Sequence, residues 1–334
     1  MKKIQFGKNG DQLLYLKITN YITKQIESGV YPQNRRLPSI NEFSSKNGVS
    51  RDTTEKAYKL LIQRGYIIPV SRKGYFVNKG KQAKLKVLFI LNKLSSYKKI
   101  VYYSFLETLG RQANVDLQIH HYDPKLLNEI LETNTGQYHY YVVMPHFFTG
   151  ADPAVYRKVL AKIPAEQLLL LDKQLPDFKN SMSVYQDFEK DIYDGLTTAV
   201  PGLHKYKKIV LVFPENDNHP TGIIAGVERF CKLHRKTFKQ VAEAKTKISK
   251  GAVYIFVTED DLAIFIKKVR QTGLVPGKDV GIISFNETIF KELLGITVMT
   301  TDFEQMGRSA AQLILENKQA AVRNNFKFIQ RDSL

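Results

Sequence analysis

Apolar positions keep a helical beat through the first sixty residues and then switch to alternation. Leu14, Ile18, Tyr21, Ile22 and Ile26 fall at i, i+4, i+7, i+8 and i+12, an inward stripe that predicts an amphipathic helix ending by Gly29. Ser39 and Glu42, just after Pro38, fit a capping box that starts a second, short helix, and Gly48 ends it. Ser50 can cap a third helix, in which Thr54, Ala57, Tyr58 and Leu61 again repeat at i, i+3, i+4 and i+7. Beyond Gly65, Tyr66-Ile67-Ile68 and Tyr75-Phe76-Val77 flank the basic tip Ser71-Arg72-Lys73-Gly74, where Gly74 is free to take a positive φ. Three helices and a hairpin in this order predict a winged helix-turn-helix over residues 1–77, a module that places its third helix in the DNA major groove. The polar face of that helix carries Arg51, Asp52, Thr53, Glu55, Lys56 and Lys59.

From residue 86 onward the pattern changes. Short continuous apolar runs occur at 86–91, 140–145, 167–172, 208–213, 251–257 and 280–285, and helical stretches lie between them around 101–113, 153–163, 221–233 and 262–271. Strands apolar on both faces and separated by helices predict parallel sheets covered on both sides. The predicted fold class is therefore α/β, with a winged helix at the N-terminus. The polar segment Asn78–Lys86 reads as a linker, leaving 87–334 for the larger part.

Charge sharpens the picture. Residues 1–84 hold 17 Lys and Arg against 5 Asp and Glu, a surplus of +12 out of the chain's +18. A small basic domain on a nearly balanced larger one is the electrostatic footprint of a DNA-binding protein. Enzyme chemistry is scarce by comparison. The sequence has no G-x-S-x-G elbow and no G-x-G-x-x-G after a strand. Gly273–Lys278 has too few residues between its glycines for a phosphate-binding loop. One cysteine, Cys231, excludes an intrachain disulfide and a cysteine-rich metal site. No cofactor or metal is expected. With no leader-like or membrane-length apolar run, the expected compartment is the cytoplasm, without membrane contact.

Several short stretches in the right order give residues 11–77 a resemblance to the DNA-binding domain of the GntR family of bacterial transcription regulators. They are Ser28–Pro32, Arg36–Ser39, Gly48–Thr53 and the hairpin strand Lys73–Val77. The resemblance implies a DNA-contacting set of Arg36, Ser39, Asn41, Ser50, Arg51, Asp52, Thr53, Lys56, Arg72, Lys73 and Gly74. Asn41 and Glu55 stand where many members carry Arg. An Asn reads adenine and a Glu accepts from cytosine, so a different operator is expected.

Val275–Glu287 followed by Ile296–Leu315, with Gln167–Pro176 and the terminal Phe328–Ser333, resembles the effector domain of the LacI family, a relative of periplasmic sugar-binding proteins. That resemblance implies two lobes, one of about 87–184 and 296–318, the other of about 186–292 and 320–334. A ligand would lie between them, at the carboxyl ends of the strands. The implied ligand contacts are Asn92, His146, Asp172, Lys173, Asp187, His219, Glu259 and Asn286, polar groups near strand ends, of which Asp187 and Asn286 are short enough to bond vicinal hydroxyls. Tyr97, Tyr102 and Phe105 offer rings for a sugar face, although aromatics at helical spacing usually pack in a core. The arginine that the family usually places near Thr221 is missing here.

Together these features are similar to arabinose-repressor-type regulators. They imply a homodimeric, non-enzymatic repressor of carbohydrate-utilisation genes that binds double-stranded operator DNA and is released by a monosaccharide or its derivative. The alternative is a DNA reader fused to a pyridoxal-phosphate aminotransferase-type domain, for which no lysine in a cofactor context is evident.

Overall fold

The computed structural model describes residues 11–78, 84–215, 218–244 and 247–334. Positions 79–83 of the predicted linker lie outside the described residues. The chain divides into two compact units. One contains the N-terminal domain with Gly110–Asp116 and Leu131–Tyr141; the other contains Phe89–Leu109, Leu117–Ile130 and Val142–Leu334.

The N-terminal domain is built as its apolar periodicity requires. Helices α1 (Asp11–Glu27), α2 (Ile40–Asn47) and α3 (Arg51–Gln63) precede the antiparallel hairpin β1 (Ile67–Val70) and β2 (Gly74–Val77). Ile18, Ile22, Phe43, Ala57, Tyr58, Leu61, Ile67 and Val77 close one core. Tyr58 lies edge-on to Phe43 and Tyr75, at centroid distances of 6.0 and 4.9 Å. Its hydroxyl donates to the Pro38 carbonyl at 2.8 Å, so a fully packed ring keeps its polar tip satisfied. Gly74 has φ 97°, and Arg72 at the hairpin tip also takes a positive φ of 60°.

Within the same unit Arg64 is buried, and its Nη2 donates to the carbonyls of Gly136 (2.8 Å) and Tyr138 (3.3 Å). A guanidinium can be tolerated in such a place only because carbonyl dipoles replace its water.

Two six-stranded sheets follow. The first has the order β13-β7-β6-β5-β3-β4, with β3 (Leu85–Leu91), β4 (Ala113–Ile119), β5 (Tyr140–Val143), β6 (Leu168–Asp172), β7 (Met182–Tyr185) and β13 (Ala321–Arg323). The second has the order β14-β12-β11-β10-β8-β9, with β8 (Lys208–Val212), β9 (Thr237–Val241), β10 (Ala252–Phe256), β11 (Gly281–Phe285), β12 (Thr297–Thr301) and β14 (Phe326–Ile329). Strands β8 to β12 pair in parallel, and β14 closes the edge antiparallel to β12. The helices are α4 (Ser96–Leu109), α5 (Pro124–Asn134), α6 (Pro153–Leu160), α7 (Phe188–Thr198), α8 (Val200–Leu203), α9 (Gly222–Leu233), α10 (Glu259–Thr272), α11 (Ile289–Leu293) and α12 (Phe303–Leu315). Among the described residues no helix is long and apolar enough to cross a membrane.

All six apolar runs are strands, but the lobe boundaries drawn from sequence shift. Thr297–Thr301, assigned by resemblance to the first lobe, extends the second sheet through its register with Ile283–Phe285. Ala321–Arg323, assigned to the second lobe, instead pairs with Ser183–Tyr185 of the first sheet. The three crossings therefore fall at 185–187, 301–302 and 323–326, and backbone bonds hold them side by side. Asn324 N donates to Tyr185 O (2.7 Å), and Asp302 N donates to Asn325 O (2.9 Å).

Helices α4 and α12 cross closely at Gly307. A Cβ there would stand 2.0 Å from Ser104 Oγ and 2.3 Å from the Val101 carbonyl. Because one obstacle is backbone, the helices must separate to admit it. Gly307→Ala is expected to lower stability by about 1–3 kcal/mol in urea denaturation, the usual cost of overpacking. An unchanged midpoint would mean that the crossing is softer than it looks.

Candidate functional site

Two sets of residues carry chemistry, one in each unit. In the N-terminal domain the two helix starts are fixed by side chains. Ser39 N donates to Glu42 Oε2 (2.6 Å) while Ser39 Oγ accepts from Glu42 N (3.2 Å), which completes the predicted capping box. Ser50 Oγ accepts from Thr53 N (3.1 Å) and bonds the Thr53 hydroxyl at 2.6 Å, so both residues are engaged in shaping the start of α3. Burying Ala57, Tyr58 and Leu61 turns Arg51, Asp52 and Lys56 to solvent. Asn41 is exposed on α2, and Arg72 and Lys73 are exposed at the hairpin tip. Arg36 lies beside the wing: its Nε is 3.6 Å from where a Gly74 Cβ would stand. Glu55 pairs with Lys59 one turn on, at 2.8 Å.

In the larger unit a polar network gathers at the ends of the strands. Asp172 ends β6 with φ 75° and is buried. Its Oδ2 accepts from Lys98 Nζ (2.7 Å) and His146 Nε2 (2.9 Å), while Oδ1 accepts from Gln186 Nε2. Gln186 in turn accepts from the Thr301 hydroxyl, so the network joins β6, α4, the first crossing and the end of β12. Burial alone would raise the Asp172 carboxyl, but Lys98 and His146 outweigh it and hold the group well below the carboxylate range. Burial also keeps His146 below its ordinary value, so a neutral ring donates through Nε2.

A second polar group adjoins it through Tyr97, the neighbour of Lys98. Tyr97 stacks on Phe303 at 5.1 Å and donates its hydroxyl to Glu259 Oε1 (3.2 Å). Burial pushes its phenol well above the ordinary value, with Glu259 adding to the shift. Lys291, almost wholly buried, lies 3.3 Å from Glu259 and donates to the carbonyls of Phe285 (2.7 Å) and Asn286 (2.9 Å). Arg331 donates to Glu287 Oε2 at 2.5 Å.

The structure thus places Asp172, His146, Glu259 and Asn286 at or beside these groups. Asn92 lies just past β3, buried, and its Oδ1 has no partner among the described residues. Asp187 caps α7 through Lys190 N (3.2 Å), Lys173 is exposed just past β6, and His219 lies edge-on to Phe213 at 6.1 Å. Phe105 and Tyr102 pack on Phe89 at 4.9 and 5.4 Å, whereas Tyr97 reaches Glu259.

Lys98, Gln186, Thr301 and Lys291 escape a reading of the six apolar runs, which include neither β7 nor β12. One signal was available. Lys98 shares the buried stripe of α4 with Val101, Phe105 and Leu109, and a charge on an apolar stripe asks for a partner.

These two sets have separate relatives. Residues 14–77 match the gntR family of bacterial regulatory proteins. The N-terminal domain is a gntR-type helix-turn-helix. Over 122 residues, 36% of this chain and 48% of the relative, the sequence is 30% identical to the HTH-type transcriptional regulator TreR of Bacillus subtilis. The chain spans less than half the length of the curated relatives it matches. The larger part has the fold of the periplasmic-binding-protein-like repressors. The trehalose repressor from Escherichia coli superposes with a TM-score of 0.57 at 17% identity, covering 74% of this chain and all of its own. The Lac repressor bound to ONPG superposes with a TM-score of 0.59 at 15% identity, covering 86% and 92%.

Proposed function

We propose that this chain is a sugar-responsive transcriptional repressor. Its gntR-type domain reads operator DNA through α3 and the wing, and a small neutral carbohydrate at the Asp172 network decides when. The observation that carries the reading is the pairing of a basic winged helix with a polar cluster at the strand ends of a repressor-like fold. Lys98, Lys291 and Arg331 are balanced there by Asp172, Glu259 and Glu287, which suits hydroxyl groups better than a phosphate. Tyr97, stacked on Phe303, offers a ring for an apolar sugar face. Asn92, His146, Asp172, Asp187, Glu259 and Asn286 are proposed as the effector set, with Lys173 and His219 at its margin. Arg36, Asn41, Arg51, Asp52, Thr53, Lys56, Arg72, Lys73 and Gly74 are proposed as the DNA-facing set, with Ser39 and Ser50 fixing the helix starts.

A homodimer supports matched half-sites. Ile289, Phe290 and Leu293 on α11 are 68%, 72% and 75% exposed, with Leu294 beside them, an apolar patch that a second copy would cover. Sugar binding shifts the population toward a dimer whose DNA domains no longer match the operator. About 5.5 kcal/mol of differential affinity is needed to invert a 1:99 mixture. The test is a thermal-shift panel of mono- and disaccharides, followed by release from an operator selected from random duplexes. An effector at a hundred times its dissociation constant should add about 2.7 kcal/mol of stability and free the DNA. A protein that selects no duplex, or that no sugar stabilises, would sink the reading.

A further inference from the structure

Arg64 closes α3 as its C-terminal cap residue, where a cation ordinarily stays in water and answers the last carbonyls of its own helix. Here only 4% of it is exposed, and both acceptors of its Nη2, the carbonyls of Gly136 and Tyr138, lie 72 and 74 residues further along the chain. Those acceptors are fixed from their own side. Gly136 N donates to the Tyr141 hydroxyl (3.0 Å), which donates to Asn134 O (2.8 Å), and the Tyr138 hydroxyl donates to Asp116 Oδ2 (2.7 Å).

Two further contacts seat the winged helix on the same short segment. A Cβ on Gly136, whose φ is 74°, would stand 3.1 Å from both Tyr15 Oη and Leu16 Cδ2 of α1. Tyr66, which leads into β1, lies edge-on to His139 at 5.8 Å and donates its hydroxyl to Glu27 Oε1 (2.6 Å). Burial, with Arg64 and Lys86 beside it, pushes His139 down to about 3, and its Nδ1 accepts from Lys86 N (2.8 Å). All of these residues belong to the N-terminal unit. Apolar rings alone would let such a seam slide. A buried guanidinium does not, because leaving its carbonyls strands a desolvated charge.

The clamp stands between two ends that carry chemistry. Arg64 directly follows α3, whose 13 residues form a stiff rod about 20 Å long with Arg51 at its far end. Tyr138 lies two residues before β5, and β5 ends three residues before His146, which donates to Asp172. We propose that Arg64 is a positioning residue that couples the two ends: the Gly136 and Tyr138 carbonyls grip the foot of α3, so a shift of β5 at its His146 end turns α3 at the DNA. Rigid elements with a fixed joint can carry coupling in this way. The coupling rests on the sugar-responsive reading, whereas the clamp does not.

Pulsed electron resonance on the full chain, free of DNA, tests the clamp first. Spin labels at Lys46→Cys on α2 and Asn114→Cys on β4 are both exposed and outside the DNA-facing set, and Cys231 is buried and escapes labelling. Diluting labelled chain into unlabelled chain restricts the reading to distances within one chain. One narrow distance is expected. Arg64→Met, which fills the space without donors, should broaden the distribution at least twofold, and Arg64→Lys should restore much of it. Gly136→Asn reaches the seam without touching α3: Asn tolerates the left-handed φ, but its Cβ presses on Tyr15 and Leu16 and should broaden the distance as well. A broad distance in the labelled chain with neither change, or a narrow one in both Arg64→Met and Gly136→Asn, would overturn the clamp whatever any sugar does. Fluorescence anisotropy with the releasing sugar then tests the coupling. The ratio of operator affinities without and with sugar should fall close to one in Arg64→Met and recover in Arg64→Lys. A merely structural role would weaken both affinities and keep their ratio, so a full ratio in a variant whose distance has broadened would overturn the coupling.

Discussion

Asp172→Ala should destabilise the larger unit by about 3–5 kcal/mol, because it leaves the buried ammonium of Lys98 without a counter-charge. The carboxylate accepts three donors from three parts of the chain, so its loss also orphans His146 and Gln186. Removing both ends of the ion pair, Lys98→Met with Asp172→Leu, should recover much of the loss, since apolar groups of similar volume need no partner. Urea denaturation of the two variants separates an ion-pair effect from simple packing. If Asp172→Ala costs less than about 1 kcal/mol, Lys98 must reach water and the network is not closed. Acidity reports on the same groups. The folded-state values of Asp172 and His146 both lie below their ordinary ones. Each therefore contributes stability above its unfolded value, and that contribution fades as pH falls. For His146 the fading begins near pH 6.5, at up to about 1.4 kcal/mol per pH unit for one proton. His146→Gln should flatten that slope, and an unaltered slope would assign the acid sensitivity elsewhere.

How legible the chain was depends on how local each signal is. Caps, stripes and the hairpin tip of the N-terminal domain are set within a few residues of each other, and the structure repeats them nearly position by position. The apolar runs of the sheets were equally plain, because a strand buried on both faces needs no partner to be recognised. Edge strands were harder. β9 carries Lys239 and Gln240 between its apolar residues and β13 has only three residues, so neither forms a continuous run. The lobe boundaries failed for a related reason. Which sheet Thr297–Thr301 joins is decided by its register against Ile283–Phe285, a contact that no local pattern encodes. Of the polar network, strand ends pointed to Asp172, but its partners Lys98 and Gln186 come from a helix and a crossing remote in sequence. Asp187 shows the opposite difficulty, a short polar residue after a strand whose visible work is to cap α7.

Operator binding by this chain should fall by about three to five orders of magnitude between 50 and 200 mM salt, if the proposed dimer neutralises six to ten phosphates. The N-terminal surplus of +12 makes such a count attainable, and Arg36, Lys56, Arg72 and Lys73 are all exposed to deliver it. Within that total, individual side chains should divide by role. Lys56→Ala, if it meets a phosphate, should weaken every duplex alike and reduce the salt slope by about one. Arg51→Ala, if Arg51 meets a base edge, should instead cost about 1–3 kcal/mol on the selected operator and less on random DNA, because a bidentate contact of that kind carries the sequence information. Arg51 opens α3, where a positive charge opposes the helix dipole, so its removal should not weaken the fold. That separates reading from folding. Fluorescence anisotropy on selected and scrambled duplexes, over a salt series, resolves all three quantities. If Arg51→Ala lowers affinity for both duplexes equally, the residue positions the backbone and the bases are read from elsewhere on α3 or the wing.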